Sequence, residues 1–197
     1  MSSYSYYSLM PHKVAVTCET CGKEASFEFA EHVKIKFRRD LAWFERSVHF
    51  ECVKQQDVEG QSFHTAVYYH KLRTNNLPTI QDLPEGYEIE DWAHPDYKLY
   101  SRYGWRGTLI CGSCGARRKH TLDWPREAYF QIAYKSDTLW AFDRESVSEL
   151  ANFIGADHRR PEEYSYWPFL MKIPQVFLTR SAREPLVKRL EKLLSVA

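Results

Sequence analysis

Two short stretches of the same design decide the fold of this chain: Cys18-Glu19-Thr20-Cys21-Gly22 and Cys111-Gly112-Ser113-Cys114-Gly115. A tight backbone turn lets both thiolates of such a pair reach one ion, and a structural zinc site needs four ligands in a tetrahedron. The glycine after each pair permits the positive φ that the turn requires. The two stretches therefore predict one structural zinc ion, with Cys18, Cys21, Cys111 and Cys114 as its ligands.

Two other roles for these cysteines stay open at this point. A redox-active Cys-x-x-Cys of the thioredoxin type opens a helix, whereas residues 22–27 lead into a predicted strand. Buried thiols without a metal are the second alternative. The fifth cysteine, Cys52, stands apart from both pairs.

The start of the chain and its apolar runs predict a cytoplasmic protein with no membrane partner. No apolar run approaches the roughly 18 residues that span a bilayer, and residues 1–7 lack the basic and apolar regions of a signal peptide. In a reducing compartment, paired cysteines bind metal more often than they form disulfides.

The composition is typical of a folded chain. Hydrophobic residues make up 44% and aromatic residues 15% of the 197 residues, more than a disordered chain carries. The formal net charge of +1 excludes the overall basicity of a protein that coats nucleic acid, but a local basic patch remains compatible with it.

Period-two apolar patterns predict strands around both cysteine pairs. Val14 and Val16 precede the first pair, and residues 27–37 follow it as one strand. Residues 117–124 and 129–140 resemble two strands joined by a turn at Pro125. We therefore predict an α+β fold, in which residues 1–39 and 103–142 form an antiparallel zinc-ribbon sheet.

A long segment separates the two halves of this predicted ribbon. Residues 22–110 comprise 89 residues, whereas ordinary zinc ribbons separate their cysteine pairs by roughly 15 to 20. We interpret residues 40–102 as a β-rich insertion, with strands predicted at residues 43–50 and 63–70 and turn-rich loops after them.

Residues 143–197 are predicted to form a helical C-terminal cap. Asp143 can cap a helix, which Gly155 would end in a left-handed conformation. Ser181-Ala182-Arg183-Glu184 fits a capping box for a second helix. Between them, residues 167–174 predict a short apolar helical turn that packs under both helices. The apolar positions of the two helices are Val147, Leu150, Ala151, Ile154, Leu186, Val187, Leu190, Leu193 and Leu194.

Basic residues beside the two pairs are the candidate nucleic-acid contacts. If both pairs share one ion, their strands approach each other and form a positive surface beside Trp43, Tyr103 and Trp105, a combination that can follow a phosphate backbone and stack bases. The alternative is solvated strand faces whose charges neighbouring acids neutralise. The candidates are Lys34, Lys36, Arg38, Arg39, Arg117, Arg118 and Lys119.

Histidines and acidic residues in the insertion form two further candidate sites, for which the sequence evidence is weaker. His64 and His70 would share one strand face, with His49 and Cys52 nearby, but satisfied or solvent-facing side chains are the favoured interpretation over a second metal site. An acidic group crowds the end of the insertion without the spacing that a magnesium-dependent nuclease needs, and is interpreted as a solvated loop or a surface for a basic partner. This group is Glu85, Glu88, Glu90, Asp91 and Asp96.

Catalytic motifs do not occur in the sequence. It has no phosphate-binding glycine loop, nucleophile elbow or His-Glu-x-x-His helix. A set of four cysteines also leaves no position on the ion for water, so the ion would hold the fold together. The sequence therefore favours a protein that is not an enzyme.

The order of these motifs resembles a known group of proteins. The two Cys-x-x-Cys-Gly turns are followed by the segment 137–145 (DTLWAFDRE) at a helix start, by Lys172-Ile173-Pro174 and by a closing amphipathic helix. This arrangement resembles uncharacterised bacterial and phage-associated zinc-ribbon proteins over residues 1–30 and 105–197. The resemblance implies a prokaryotic or phage origin and supports the four cysteines as ligands, but implies no activity.

Three hypotheses about function follow from the sequence. The first is a non-enzymatic zinc-ribbon module that binds nucleic acid or a nucleic-acid-processing complex. The second is a protein-interaction adaptor, for example a phage or host-defence factor, that engages its partner through the aromatic insertion. The third and weakest is a metal-dependent nuclease.

Overall fold

Antiparallel sheets followed by C-terminal helices make up the fold in the computed structural model, which describes residues 10–57, 59–94 and 105–195. The described residues form a four-stranded, a three-stranded and a two-stranded sheet. This mixed α and β architecture, with antiparallel sheets and a helix at its C-terminal end, is the predicted fold class. None of the helices in the described ranges is both long enough and apolar enough to cross a membrane.

The four-stranded sheet is built from two hairpins that lie side by side. Strands β1 (Lys13–Thr17) and β2 (Glu24–Phe29) form the first, and β6 (Arg106–Ile110) and β7 (Arg117–Thr121) form the second. The sheet order is β1-β2-β6-β7, so β2 and β6 pair across the two hairpins. Because all four strands alternate in direction, the turns of both hairpins, which carry the cysteine pairs, lie at the same end of the sheet.

Gly107 allows β6 to lie close against β2. A Cβ atom built at this position would overlap the backbone oxygen of Glu28 and the ring of Phe27, which is fully buried. A side chain on residue 107 would thus push apart the two strands that join the hairpins.

We expect Gly107→Ala to lower the free energy of unfolding by about 1–3 kcal/mol, because the added methyl group overpacks a buried contact with the backbone. Gly155→Ala is the matched control, since its Cβ would meet Val187 at 3.6 Å, an ordinary contact. Urea denaturation of both variants measures the difference. Equal stability of the two variants would contradict the proposed overlap.

The three-stranded sheet lies in the middle of the chain and has its own aromatic core. Its order is β3-β5-β4, from β3 (Glu31–Lys34), β4 (Phe50–Gln56) and β5 (Ser62–Tyr68). Phe44 and Trp92 are completely buried in this core, which also contains Ile35, Phe50, Ala66, Tyr68 and Tyr87.

The strand expected over residues 27–37 is divided between two sheets. β2 ends at Phe29, and β3 begins at Glu31 and pairs with β5, where Glu31 lies opposite Tyr68. The buried residue between them, Ala30, still donates its N–H to the carbonyl of Arg106 at 3.0 Å. The chain therefore passes from one sheet into the other without a loop.

The strand predicted over residues 43–50 is wrong. The structure has helix α1 (Leu41–Arg46) here, and β4 begins only at Phe50. Leu41 and Phe44, three residues apart, lie on the same side of a helix and both contact the aromatic core of the three-stranded sheet. This tertiary packing decides the local conformation.

The single strand predicted over residues 129–140 is a hairpin. Strands β8 (Gln131–Tyr134) and β9 (Asp137–Trp140) pair with each other, and the turn between them places Lys135 at a φ of 54°. Lysine is an unusual residue for a positive φ, so no residue at this position signals a turn. The turn predicted at Pro125 is present.

Residues around this hairpin cover the outer edge of β1. Thr17 donates its N–H to the carbonyl of Glu127 at 2.9 Å, Tyr129 donates to Ala15 at 3.1 Å, and Ala15 donates to Phe142 at 2.6 Å. These bonds satisfy backbone groups that an exposed edge strand would present to other chains.

The C-terminal helices are α2 (Arg144–Gly155), α3 (Trp167–Leu170), α4 (Gln175–Leu178) and α5 (Arg180–Ser195). The predicted cap of α2 is confirmed, because the Asp143 side chain accepts the Ser146 N–H at 2.7 Å. The predicted helical turn within residues 167–174 is α3. The apolar faces of α2 and α5 pack against each other and join the main core, with Val147, Leu150, Ile154, Leu186 and Leu190 buried.

Two details of the predicted helix ends are wrong. Gly155 does not adopt a left-handed conformation, and α2 ends because Ala156 is extended, with φ −64° and ψ 140°. Ser181 lies inside α5 and does not cap it, because Thr179 is the extended residue and the helix begins at Arg180.

Candidate metal centre and charged surfaces

The two hairpin turns bring the four paired cysteines together. The Sγ atoms of Cys18 and Cys114 are 3.7 Å apart, and those of Cys21 and Cys111 are 3.6 Å apart. A disulfide would require about 2.0 Å, whereas thiolates 2.3 Å from a shared tetrahedral ion lie about 3.8 Å from each other. The spacing is therefore that of a site that could hold one metal ion.

The two turns have the same backbone hydrogen bonds. Gly22 donates its N–H to the Cys18 carbonyl at 2.8 Å, and Gly115 donates to the Cys111 carbonyl at 3.0 Å. Both glycines have positive φ, 70° and 73° respectively. The prediction that a glycine after each cysteine pair permits a positive φ is therefore confirmed in both turns.

One cysteine of each pair is buried and the other faces solvent. Cys18 and Cys111 are 1% exposed, whereas Cys21 and Cys114 are exposed. A hydrogen bond from the backbone of Cys21 is the main cause that lowers the pKa of the Cys18 thiol to about 6, and the backbone of Cys114 similarly lowers the pKa of Cys111. Backbone hydrogen bonds from Lys23 and Ala116 also act on the exposed thiols, but desolvation and hydrogen bonds to the buried thiols outweigh them and raise the pKa of Cys21 and of Cys114. The buried thiols are therefore the two that favour the thiolate, which is the form that binds metal ions. The exposed pair gives an ion access from solution.

The first group of predicted basic residues flanks an exposed aromatic residue in the sequence, but the ammonium groups of Lys34 and Lys36 lie over the rings of Phe63 and Tyr87. Lys34, Lys36, Arg38 and Arg39 are all exposed, and the Phe37 side chain among them is 52% exposed. The Arg39 guanidinium lies 4.9 Å from the centre of the Phe37 ring. Within the described ranges, the only ion pair of these four cations joins Arg39 to Asp40 at 3.6 Å.

The second group of predicted basic residues is largely neutralised by acids. Arg118 pairs with Glu19, and Lys119 pairs with Glu51, which also accepts a hydrogen bond from Arg106 at 3.0 Å. For this group the structure agrees with the alternative prediction, in which neighbouring acids neutralise the basic side chains of a strand. Arg117 is exposed and reaches the side-chain oxygen of Asn75 at 3.4 Å.

The two basic groups lie at opposite edges of the three-stranded sheet, contrary to the expectation that they approach each other. The first group begins on β3, whereas Lys119 of β7 contacts Glu51 on β4, and the central strand β5 separates β3 from β4. The physical reason is that β3 leaves the sheet to which β2 and β7 belong.

The aromatic residues expected beside this surface are placed differently. Trp43 and Trp105 are half-buried against the two large cores, and Tyr103 lies outside the described residues. The period-two pattern of residues 27–37 places Phe37 on the apolar face of the predicted strand, so its exposure was not expected. The signal that could have identified it is the basic residue on each side, Lys36 and Arg38.

The acidic group of the insertion does not converge on a metal site. The Asp91 carboxylate accepts the Glu88 N–H at 3.1 Å, and together the two residues cap the 3-10 helix over Ile89–Trp92. Asp96 lies outside the described residues. In the part of the chain that the structure describes, none of the other four acids belongs to a group of possible metal ligands.

One of the candidate histidines does join a buried polar cluster. His70 lies with Glu28 and His94, neither of which was a candidate in the sequence. The other candidates, His49, His64 and Cys52, lie outside this cluster. Burial lowers the pKa of His70 to about 4. Burial opposes the charge of Glu28, yet hydrogen bonds from His94 and Lys71 bring its pKa down to about 2. No sequence signal connects these residues, because they come from three separate segments.

Comparisons with protein-family models, with curated proteins and with solved structures found no match to this chain. The resemblance to bacterial and phage zinc-ribbon proteins therefore stays a prediction from the sequence motifs. Any functional conclusion depends on the geometry of the cysteine group and of the charged surfaces.

Proposed function

We propose that the protein is a non-enzymatic, zinc-stabilised module that binds single-stranded nucleic acid through the surface formed by residues 34–39, here called the Phe37 surface. The observation that carries this proposal is the contact of the Phe37 ring, which is 52% exposed, with the Arg39 guanidinium, in a segment whose four cations are all exposed. A single exposed apolar residue is ordinary on a protein surface, so the proposal depends on the combination of the ring with cations, which can bind a phosphate backbone and stack a base.

The zinc ion in this proposal has a structural role. Four cysteine thiolates complete the tetrahedron that zinc prefers and leave no open position for a water molecule. The cysteine turns belong to the β1–β2 and β6–β7 hairpins, so one ion would tie both hairpins together at one end of the sheet. The Phe37 surface follows β3 in the three-stranded sheet, so the ion would support it through the junction of β2 with β3.

The chemistry of the Phe37 surface suits an unpaired strand. Lysine and arginine side chains neutralise phosphates, which supplies most of the sequence-independent affinity. A base can stack on Phe37 only when it is not stacked within a duplex, and such stacking contributes about 1–3 kcal/mol per base. In the free protein, the Arg39 guanidinium covers the ring, so Arg39 would move onto a phosphate when a base arrives.

We expect Phe37→Ala to weaken binding of a fluorescently labelled single-stranded oligonucleotide by about 5- to 150-fold, the equivalent of one lost stacking contact. Fluorescence anisotropy at several salt concentrations measures the affinity. Arg38→Ala should also make the dependence on salt shallower, by about 0.7 in the log–log slope for one lost phosphate contact on a single strand.

Lys119→Ala is the matched control for charge and Val48→Ala the control for an exposed apolar residue. Lys119 is already paired with Glu51, and Val48 is 63% exposed on another surface. Both variants should bind the oligonucleotide as the wild type does. The proposal is wrong if the wild type shows no affinity at low salt, or if Lys119→Ala weakens binding as much as Phe37→Ala.

The adaptor hypothesis is favoured by a separate observation in the insertion. A groove of about 670 Å³ lies beside the end of α1, with Trp43, Val48 and Ile80 as its apolar lining and polar or charged residues such as Arg46 and Asp82 around them. A protein partner seated there would be retained at moderate salt, because an apolar interface depends little on ionic strength, whereas nucleic-acid affinity falls steeply. A pull-down from native lysate, with and without nuclease treatment, distinguishes the two functions.

A further inference from the structure

A buried cluster of two histidines and one glutamate lies where the four-stranded sheet meets the insertion. Glu28 belongs to β2, His70 comes two residues after β5, and His94 comes two residues after the 3-10 helix over Ile89–Trp92. Glu28 is 4% exposed and His70 is 8% exposed. One possible ligand atom from each of the three side chains lies within 4.8 Å of the other two.

Each imidazole is held by neighbouring groups. The His70 ring stacks on His94, with ring centres 3.7 Å apart, and its Nε2 atom is buried without a hydrogen-bond partner. His94 has Nδ1 2.8 Å from a carboxylate oxygen of Glu31 and Nε2 3.1 Å from Oε1 of Glu28. His94 is thus positioned as metal-binding histidines are, with one nitrogen on a carboxylate and the other facing the candidate site.

We propose that Glu28, His70 and His94 form a second metal site, distinct from the four cysteines, which binds a divalent transition-metal ion such as zinc. Two imidazoles and one carboxylate suit zinc and neighbouring first-row metals, whereas magnesium and calcium prefer oxygen ligands alone. The stacked rings of His70 and His94 have 25° between their planes. A tetrahedral ion holds its donor atoms about 3.3 Å apart, and each ring must point a nitrogen at the ion, so binding would require the two rings to unstack and rotate.

Three protein ligands would leave a fourth position for water or a ligand, unlike the cysteine site. This ligand count is typical of metal sites that polarise a bound molecule. The site would also connect two parts of the fold, because Glu28 comes from the four-stranded sheet and both histidines come from the insertion. This inference does not depend on the Phe37 surface or on nucleic-acid binding.

Lys71 is placed to tune the affinity of this site. Its ammonium lies 3.1 Å from Oε2 of Glu28, so it competes with a metal ion for the carboxylate. Its backbone has a φ of 55°, which is unfavourable for a residue other than glycine and is kept only where the surrounding structure requires it. Replacing the lysine by a neutral residue removes the competing charge.

The test uses the full chain without a polyhistidine tag. The protein is incubated with excess zinc and desalted, and its metal content is measured by mass spectrometry. We expect about two zinc ions per chain in the wild type and about one in Glu28→Gln and in His94→Gln. His158→Gln, a change to a histidine that is exposed and far in sequence from the cluster, should keep about two.

Cobalt(II) separates the two sites by spectroscopy. The cysteine site is first filled with zinc, and cobalt(II) is then added. Cobalt at nitrogen and oxygen ligands gives visible absorption without the intense charge-transfer bands that thiolates produce. We expect this signal in the wild type, its loss in His94→Gln and a tighter cobalt affinity in Lys71→Gln.

Circular dichroism and urea denaturation show whether each variant is folded. If Glu28→Gln or His94→Gln does not fold, the comparison of Lys71→Gln with the wild type decides, because that change removes only a competing cation. The proposal is overturned if the wild type in excess zinc retains about one ion, or if all folded variants of the cluster retain as much metal as the wild type.

Discussion

Cys111→Ser is expected to leave the chain without a stable fold. A structural zinc ion contributes about 10–16 kcal/mol in small zinc-dependent domains, which is comparable to the whole free energy of unfolding of a typical protein, about 5–15 kcal/mol. Cys111 follows directly after β6 and is 1% exposed, so its loss would also disturb the pairing of β6 with β2. Metal analysis and thermal unfolding followed by circular dichroism measure both effects.

Cys52→Ser is the control for this change. Cys52 lies half-buried on β4 and outside the cysteine group, so we expect full metal content and a loss of about 1 kcal/mol or less. Removal of the metal from the wild type by a chelator should reproduce the effect of Cys111→Ser. A chelated protein that unfolds at the same temperature as the untreated one would refute a structural role for the ion.

Trp92→Ala is expected to have the second largest effect, by unfolding the core of the three-stranded sheet. Trp92 is fully buried, its ring centre is 4.5 Å from that of Phe50, and its indole N–H donates to the Ala66 carbonyl at 2.8 Å. Truncation of a buried aromatic residue costs about 3–5 kcal/mol. Ala66 lies opposite Val33 in the β3–β5 ladder, so its carbonyl keeps a backbone partner, and the lost indole hydrogen bond adds about 1 kcal/mol.

Hydrogen exchange shows which part of the fold loses stability in Trp92→Ala. Amides of β3, β4 and β5 should lose protection in Trp92→Ala, whereas those of the α2–α5 core should keep theirs. Trp167→Ala is the matched control, because Trp167 is 48% exposed and its truncation should change the free energy of unfolding by about 1 kcal/mol or less. Similar losses in both variants would contradict the importance of this core.

The features that the sequence predicted depend on local patterns. The meeting of the four cysteines follows from two short turns of the same design, each with its own glycine. Helix α2 follows from the cap at Asp143 and from an apolar stripe with helical spacing. In both cases the residues that decide the structure lie within one turn or one helix of each other, so their spacing is sufficient evidence.

The features that the sequence did not predict depend on contacts between distant segments. Residues 41–46 form a helix because of packing against the aromatic core of the three-stranded sheet. β3 joins β5 because the central strand of that sheet needs a partner on each side. Glu28 and His94 are 66 positions apart in the chain, and no periodicity in a single sequence links such residues.

The pairing of β2 with β6 has a consequence for how the protein is made. Cys21 and Cys111 are 90 positions apart, and ribosomes add about 5–20 residues per second. The first two thiols therefore wait about 5–20 s before their partners exist, while β4 and β5, which are close neighbours in the sequence, can already pair. During this interval a metal ion can be held by only two thiolates, and the nascent chain is exposed to oxidation and to incorrect metal ions.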